Sequence, residues 1–280
     1  MVGISILAMI SSSFLVLGWD SSDAETSEID VFMISGQSNG AYSFRANPTQ
    51  AGPVPPGGVA YYFGSETSPV PYSEWDDDAA YGIYDMVNPD GSAHIGGIEL
   101  PFAATYYQKT GHKICIINVA IGGAKIVEWY PGTDYYIWAQ GVFSKAIDAL
   151  DDNYSINVKG LIWIQGESDP TWQIQAYKNR FMTMFGTMQH AATATSYFNE
   201  DYAFENCIMS LVRQHRGQNT CLSQIQLDAE HDDVKLGCIV CDTFNTENGL
   251  LYGDDTHYTQ LGRNIVAKDL ATNYVAKFMT

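Results

Sequence analysis

The sequence predicts an α/β fold, a three-layer α/β/α sandwich in which helices cover both faces of a five-stranded parallel sheet. Five short apolar runs rich in β-branched residues recur along the chain, and segments with helical periodicity separate them. Strands that alternate with helices pair in parallel through right-handed crossovers, which place helices on both faces. A length of 280 residues, with 46% apolar residues and no long repeat, is typical of one globular domain. The predicted arrangement is flavodoxin-like.

The apolar runs and the helical patterns alternate along a predicted domain of residues 28–280. The predicted strands are residues 31–34, 113–119, 158–164, 206–212 and 236–240. The predicted helices are residues 99–109, 137–150, 172–190, 219–230 and 258–278. Residues 40–97 are rich in Pro, Gly, Tyr and Asp and have no helical period, which predicts long loops over the strand ends.

Aromatic residues are dense in these predicted loops. They are Tyr61, Tyr62, Phe63, Tyr72 and Trp75. Flat aromatic faces suit sugar rings, and loops of this length are often functional. Packing of the loops onto the core explains any single one of these residues at least as well, so both interpretations stay open.

The first 27 residues differ in character from the rest. Residues 4–17 are apolar, too short to span a membrane but long enough for the apolar region of a signal peptide, and residues 21–27 form a polar, acidic linker. No Lys or Arg precedes the apolar region, unlike most signal peptides. We expect a secreted or extracytoplasmic protein, with an N-terminal extension as the alternative.

The charge balance restricts the class of partner. The chain has 32 acidic and 14 basic residues, a formal net charge of −18. Such a charge repels nucleic acids and anionic membrane surfaces, and it suits a neutral substrate. We therefore expect no nucleic-acid partner and no membrane anchoring, and the sequence gives no oligomeric state.

The five cysteines are an odd number, so at least one thiol is free or intermolecular. Cys115 lies in an apolar run, where a small buried side chain is expected. Cys238 and Cys241 form a C-x-x-C pair within a predicted strand, where residues three apart point to opposite faces, so this pair alone predicts neither a disulfide nor a zinc site. Pairing of Cys207 or Cys221 with one of them stays open.

A serine lies at the end of the first predicted strand. The apolar run at residues 31–34 is stopped by Gly36, and Ser38 follows two residues later. In parallel α/β sheets, ligands bind outside the carboxyl ends of the strands. Ser38 is therefore a candidate nucleophile, and the alternative is a simple helix N-cap, for which serine is a preferred residue.

A serine hydroxyl is a weak nucleophile until a neighbouring base accepts its proton. Imidazole suits this task at neutral pH because its ordinary pKa is about 6.5. His257, at the start of the last predicted helix, is the candidate base. Asp254 lies three residues upstream, where a carboxylate can accept the other ring N–H and fix the tautomer, and Asp255 is an adjacent competitor.

Three segments taken together resemble the SGNH (GDSL-like) hydrolases: Gly-Gln-Ser-Asn-Gly at 36–40, Trp-Ile-Gln-Gly-Glu-Ser-Asp at 163–169, and Asp-Asp-Thr-His at 254–257. The similarity is to the branch that holds sialate O-acetylesterases and the family-six carbohydrate esterases, which act on acetylxylan. It spans residues 30–267. The resemblance implies the SGNH hydrolase fold and a metal-independent serine esterase without cofactors, which removes O-acetyl groups from acetylxylan or an O-acetyl sialic acid.

The resemblance also assigns roles to individual residues. The Asp-x-x-His spacing of the family selects Asp254 as the partner of the histidine. Charge on the ester oxygen needs preorganised donors, and the implied oxyanion hole holds the backbone N–H groups of Ser38 and Gly123, with Gly122 as competitor for the second. The side-chain amide of Gln165 is the implied third donor.

Three further residues of the motifs are expected to support the site. Glu167 is an acceptor unless it is protonated, so we interpret it as a positioning group. Gln37 and Asn39 flank the serine, where their amides can bond to the backbone and fix the loop. We interpret both residues as structural support first and as substrate contacts second.

Other functions fit parts of the pattern. Residues 36–40 also match the G-x-S-x-G letters of the α/β-hydrolase nucleophile elbow, but that elbow follows several strands and its acid and histidine are well separated. A catalytically silent carbohydrate-binding module of the same fold is disfavoured by the complete set of Ser38, Asp254 and His257. A lipid esterase or thioesterase of the same superfamily requires an apolar groove.

Overall fold

The computed structural model describes residues 27–42, 46–70, 72–74, 76 and 79–280. The predicted signal peptide and almost all of the linker lie outside these residues, as does Trp75. No helix within the described ranges has both the length and the apolar character needed to cross a membrane.

The described chain forms eight strands and five α-helices. The strands are β1 (Ser27–Gly36), β2 (Ala60–Ser65), β3 (Ser68–Pro69), β4 (Gly82–Asp85), β5 (Ile114–Asn118), β6 (Tyr154–Ile164), β7 (Asn206–Ser210) and β8 (Val234–Cys238). The helices are α1 (Glu99–Thr110), α2 (Asp134–Asp151), α3 (Ile174–Met188), α4 (Gln218–Glu230) and α5 (Gln260–Phe278). Short 3₁₀ helices are Pro48–Gln50, Tyr72–Glu74, Ile126–Trp129 and Val240–Thr243.

The strands form one sheet in the order β3-β2-β5-β1-β6-β7-β8, with β4 also paired to β2. The six strands from β2 to β8 in this order are parallel, and only β3 and β4 run antiparallel. Strand β1 is central, between β5 and β6. The carboxyl ends of these three strands therefore meet at one edge, where Ser38 lies.

Both faces of the sheet are covered, as the α/β prediction requires. Met33 of β1 packs in one buried cluster with side chains of α2 and α3, and its neighbours Phe32 and Ile34 pack in the other with α1 and α5. Side chains alternate between faces along a strand, so a strand buried on both faces is a continuous apolar run. The α/β sandwich is confirmed.

The prediction of five strands was wrong for residues 60–65, which were expected to be loop. They form β2, whose Tyr62 and Phe63 are buried, and β3 and β4 pair with it. Short strands between segments rich in proline and glycine give a weak apolar signal. The five predicted parallel strands and the five predicted helices are all present, with ends shifted by a few residues.

All five cysteines are free and buried. The placement of Cys241 in a strand was wrong, because β8 ends at Cys238 and the chain turns into a 3₁₀ helix that contains Cys241. Both side chains belong to the same buried cluster rather than to opposite faces. The Cys241 thiol donates to the Leu211 carbonyl at 2.7 Å.

Candidate active site

Strand β1 delivers Ser38 through a sharp turn at Gly36. Gly36 has a φ of 122°, and a side chain there would overlap the Ile164 carbonyl of the neighbouring strand. The Gln37 N–H donates to that same carbonyl at 2.8 Å, and the Gly40 N–H donates to the Gln37 carbonyl at 2.8 Å. No helix begins at Ser38, which is half-buried within this turn, so the capping interpretation of Ser38 was wrong.

The turn brings Ser38 to His257, 219 residues further along the chain. The distance from Ser38 Oγ to His257 Nε2 is 3.0 Å, and that from His257 Nδ1 to Asp254 Oδ2 is 2.8 Å. Asp254 Oδ1 also accepts the backbone N–H groups of Thr256 and His257, each at 3.0 Å. Asp254 therefore orients both the imidazole and its own loop, and the hydrogen-bonded chain from aspartate through histidine to serine is complete.

Asp255 does not contact His257 and is held by two arginines of the loop between β7 and α4. It has a φ of 50°, unusual for a residue with a side chain. Its carbonyl oxygen accepts from Arg213 Nη2 and from Arg216 Nε and Nη2, the latter two at 3.0 and 2.7 Å. Its carboxylate pairs with Arg216 at 3.1 Å, and these positive charges hold its pKa below the usual range, although desolvation opposes them. We call Arg213 and Arg216 the arginine clamp.

Asn39 links the turn at residues 36–40, which we call the serine turn, to the loop at residues 251–258, which we call the histidine loop. Its Oδ1 accepts the Tyr258 N–H at 3.0 Å, and its Nδ2 donates to the Thr256 carbonyl at 3.2 Å and to Glu167 Oε1 at 2.9 Å. Burial raises the pKa of the Glu167 carboxyl, and nearby His257 partly offsets this rise. Glu167 thus places a second acidic group near the imidazole, where its ionised form would stabilise the protonated ring.

Gln37 fixes the loop that follows β6. Its Oε1 accepts the backbone N–H groups of Gly166 and Ser168, at 3.1 and 2.9 Å. The Gly166 to Ser168 segment carries Glu167 between these two contacts. Gln37, Asn39 and Glu167 therefore connect the three loops of the sequence motifs, and their geometry is that of supporting residues.

The loop after β5 supplies donors beside the serine turn. Backbone pairing with β1 continues past the strand, because Val119 N–H donates to the Ile34 carbonyl at 2.8 Å and Ile121 N–H donates to the Gly36 carbonyl at 3.2 Å. Gly123 follows with a φ of 78°, which favours glycine. Among the described residues, nothing accepts the backbone N–H of Gly122, of Gly123 or of Ser38, which leaves these donors available to an oxyanion.

The structure places Gln165 differently from the role that the resemblance implied. Its Nε2 donates to Asp169 Oδ2 and to the Ala124 carbonyl, the latter at 3.3 Å, and its Oε1 accepts the Tyr177 hydroxyl at 2.8 Å. Both amide hydrogens are used within the buried interior, so neither is free for an ester oxygen. The geometry does not support Gln165 as an oxyanion donor, and its contact with Ala124 makes it a support of the loop that carries Gly123.

We call the loop after β5, which carries Gly122 and Gly123, the oxyanion loop. A cavity of about 160 Å³ lies against it. The described residues that line it are uncharged: Ala41, Tyr42, Pro69, Val70, Tyr72, Ser73, Asn118, Ala120, Ile121 and Gly122. Tyr72 is partly exposed, and its ring packs edge-on against Tyr135 and Trp138 at centroid distances of 4.8 and 5.3 Å. Of the aromatic residues predicted to face sugars, Tyr72 alone among those described lines this cavity, while Tyr62 and Phe63 are core residues.

Sequence reasoning missed four residues that shape the site: Asn118, Asp169, Arg213 and Arg216. Asn118 is a polar residue next to the end of the predicted strand 113–119, and its position there was the available signal. Asp169 lies within the quoted motif and also accepts the Ile126 N–H at 2.7 Å. No sequence pattern indicated the arginine clamp, because the residue it binds, Asp255, is about forty residues away in sequence.

Solved structures of low sequence identity share this fold. A protein from Arabidopsis thaliana is 17% identical, covers 89% of this chain and 98% of its own, and has a TM-score of 0.57. A carbohydrate acetylesterase from Xanthomonas citri is also 17% identical, and covers 89% of this chain and 56% of its own with a TM-score of 0.57. NanS is 12% identical, covers 91% of this chain and 98% of its own, and has a TM-score of 0.60. No curated protein matched the chain.

Family membership is evident over nearly the whole sequence. A family model described as carbohydrate esterase, sialic acid-specific acetylesterase, matches residues 28–276. The matched region contains the serine turn, the oxyanion loop and the histidine loop described above. With this match and the shared fold, the chain belongs to the carbohydrate esterases of the sialic acid-specific acetylesterase family.

Proposed function

We propose that this protein is a serine esterase that removes O-acetyl groups from a carbohydrate through an acetyl-enzyme intermediate, without a metal ion. The observation that carries the proposal is the hydrogen-bonded chain Asp254, His257 and Ser38, whose two contacts measure 2.8 and 3.0 Å. Membership in a carbohydrate esterase family supports the substrate class. The silent binding module is disfavoured, since a merely structural serine needs no such partners.

In the first half of the reaction, Ser38 Oγ attacks the acetyl carbonyl carbon while His257 Nε2 accepts the hydroxyl proton. The carbonyl oxygen becomes negatively charged, and the free N–H groups of Ser38 and Gly123 are positioned to stabilise it. The bond to the sugar oxygen then breaks. Protonated His257 gives its proton to that oxygen, and the deacetylated sugar hydroxyl leaves.

In the second half, water attacks the acetyl group on Ser38, with His257 again accepting a proton. The tetrahedral intermediate uses the same donors, and its bond to Ser38 Oγ breaks as protonated His257 returns its proton to that oxygen. The acetic acid released ionises to acetate. Asp254 holds the imidazole in the tautomer that presents an unprotonated Nε2 to Ser38, and it stabilises the imidazolium in both halves. Every proton and charge in this scheme is handled by the chain's own groups.

Either acetylxylan or an O-acetyl sialic acid fits the proposal at this level. The described residues that line the cavity beside the oxyanion loop are uncharged. Together with the net charge of −18, this favours a neutral sugar ring, with Tyr72 as a flat contact. A lipid esterase or thioesterase would prefer long acyl chains, whereas membership in an acetylesterase family favours the acetyl group.

The test is hydrolysis of p-nitrophenyl acetate, acetylated xylan and an O-acetyl sialic acid by wild type, Ser38→Ala and the control Ser155→Ala. Ser155 is exposed on β6 at the opposite end of the sheet. We expect Ser38→Ala to lose at least about 10³-fold in rate, the control to match wild type, and EDTA to change nothing. A Ser38→Ala variant with about a tenth of wild-type activity would refute the nucleophile assignment.

A further inference from the structure

Asn118, the last residue of β5, touches both loops that the reaction needs. Its Nδ2 donates to the Gly40 carbonyl of the serine turn at 2.9 Å, and its Oδ1 accepts the Ala120 N–H of the oxyanion loop at 2.9 Å. The side chain is 5% exposed. One amide therefore spans the two loops whose backbone N–H groups form the proposed oxyanion hole.

The second hydrogen on Asn118 Nδ2 is held by a buried carboxyl group. Glu99, in the first turn of α1, accepts it on Oε1 at 2.6 Å and is fully buried. Gly97 makes room for this carboxyl, because a side chain at Gly97, where φ is 79°, would overlap Glu99 Oε2. A buried carboxyl is costly unless it is well bonded, and the helix N-terminus offsets part of that cost.

The amide of Asn118 has no freedom to turn. Both its hydrogens and its oxygen are engaged, and reversing the amide would place oxygen against the Glu99 and Gly40 oxygens. Among the described residues, Arg263 of α5 and the hydroxyl of Tyr42 also interact electrostatically with Glu99. The orientation of Asn118 is thus determined by Glu99, and Asn118 in turn determines how far Gly40 lies from Ala120.

We propose that Asn118 and Glu99 are positioning residues of the esterase reaction, which hold the serine turn and the oxyanion loop at the spacing that the tetrahedral intermediate requires. This inference rests on the proposed function. Neither residue touches the reacting atoms in our scheme. Misplacement of reacting groups by about 1 Å can cost about 10²-fold in rate, so a bond between the two loops affects the transition state more than substrate binding.

The first test replaces Asn118 with Asp, which keeps the shape and the acceptor for Ala120 but removes both donated hydrogens. Active sites are counted by titration with a fluorophosphonate, and kcat for p-nitrophenyl acetate is expressed per titrated site. We expect this kcat to fall by about 10²-fold while KM changes by less than about threefold. Asn273→Asp is the matched control, since Asn273 Nδ2 likewise donates two hydrogen bonds, in its case to the backbone carbonyls of Gly237 and Asp269. A purely structural role would lower the melting temperature without lowering kcat per titrated site.

The second test uses Glu99 and applies even if the Asn118 variant does not fold. Glu99→Gln retains an oxygen acceptor for Asn118 and should keep kcat within about threefold of wild type, whereas Glu99→Leu, which has no acceptor, should lose about tenfold or more. Equal losses in the two variants would overturn the role of Glu99 as an acceptor. If the wild type is active and both Asn118→Asp and Glu99→Leu keep near-normal kcat, the positioning role is wrong but the proposed function stands. If the wild type is inactive, the proposed function itself is refuted.

Discussion

Asp254 and Asp255 have the same side chain and adjacent positions, and their surroundings separate their roles. Asp254 accepts the ring N–H of His257 and two backbone N–H groups of its own loop. Asp255 faces away from the imidazole and pairs with Arg213, His215 and Arg216. The family spacing selected Asp254 from the sequence, and the geometry of the loop supports that choice.

We expect Asp254→Asn to lower kcat by about 10³–10⁴-fold, because an amide can present an N–H to Nδ1 and favour the wrong imidazole tautomer. Asp255→Asn should lower kcat by less than about tenfold, since asparagine tolerates a positive φ and the carbonyl contacts to the arginines persist. The measurement is steady-state hydrolysis of p-nitrophenyl acetate by both variants. Equal losses would show that the assignment of Asp254 is incorrect.

Glu99 makes the stability of the protein depend on pH in an unusual direction. Burial raises its pKa from the ordinary 4.5 to about 7, with Asn118 and Arg263 opposing that rise. Between these pH values the folded protein keeps a proton that the unfolded chain has released. The stability that this group contributes is therefore fully present below pH 4.5 and is lost as the pH rises through about 7.

We expect the unfolding free energy of wild type, relative to Glu99→Gln, to fall by about 3 kcal/mol from below pH 4.5 to above pH 7. Glutamine is the reference because it cannot ionise, so the difference between the two proteins isolates this group from the other acids. Urea unfolding at several pH values measures it. A difference that stays constant with pH, or grows as pH rises, would contradict the buried position of Glu99.

At the scale of elements, the loop between β7 and α4 holds the loop that carries Asp254 and His257. The histidine loop is closed by a bridge between Leu251 and Tyr258, and the arginine clamp binds its strained residue. Arg213 is fully buried and Arg216 is partly exposed. A planar guanidinium can donate several N–H groups to one carbonyl and carboxylate, which an ammonium group cannot match.

We expect Arg213→Lys to lower kcat by about tenfold or more, because the Asp254 loop loses part of its support. Arg180→Lys is the control, since Arg180 stacks on the Tyr130 and Trp172 rings and contacts no residue of the histidine loop among those described. Kinetics and thermal unfolding of both variants give the comparison. If Arg213→Lys keeps normal kcat, the clamp serves stability alone.

The elements differ in how well the sequence predicts them. The central strands were predictable because both faces are buried and their apolar runs are continuous, as in the stretch ending at Ile34. Strand β2 was missed because its short run, Ala60–Ser65, lies between segments rich in proline and glycine. The role of Gln165 was misjudged because sequence gives no information on Tyr177 and Asp169, which occupy its amide.

For the whole molecule, the net charge of −18 predicts how ionic strength affects different substrates. A negatively charged substrate is repelled over about a Debye length, roughly 10 Å at 0.1 M salt, whereas a neutral one is not. We expect KM for an O-acetyl sialic acid to fall as NaCl rises from about 20 to about 200 mM, and KM for a neutral acetylated xylooligosaccharide to stay constant.

The decisive outcome is the difference between the two substrates at matched pH. A KM for the anionic substrate that rises with salt would mean that a local positive site dominates over the net charge, and would favour an acidic sugar.

Secretion is a separate prediction, since residues 1–26 lie outside the described chain. Mass measurement of the N-terminus after expression in a secreting host tests it.

The whole-molecule prediction from sequence was limited by distance along the chain. The serine turn, the histidine loop and the five parallel strands followed from local patterns and short motifs. Contacts such as Asn118 with Gly40, 78 residues apart, or Arg216 with Asp255, depend on which strands become neighbours. No local pattern encodes these pairings, so the residues that support the site were found only in three dimensions.

The five free cysteines can report local unfolding, because a buried thiol reacts only after its surroundings open. They lie on β5, β7, α4, β8 and the 3₁₀ helix that follows β8, all inaccessible to solvent, and burial raises the pKa of the Cys115 and Cys207 thiols. Because all five thiols are buried, we expect alkylation of each one only when its own element separates from the core. If the chain folds in an oxidising compartment, we therefore expect formation of the sheet to compete with crosslinking of exposed thiol pairs, so that adding a reductant during refolding raises the yield of active protein.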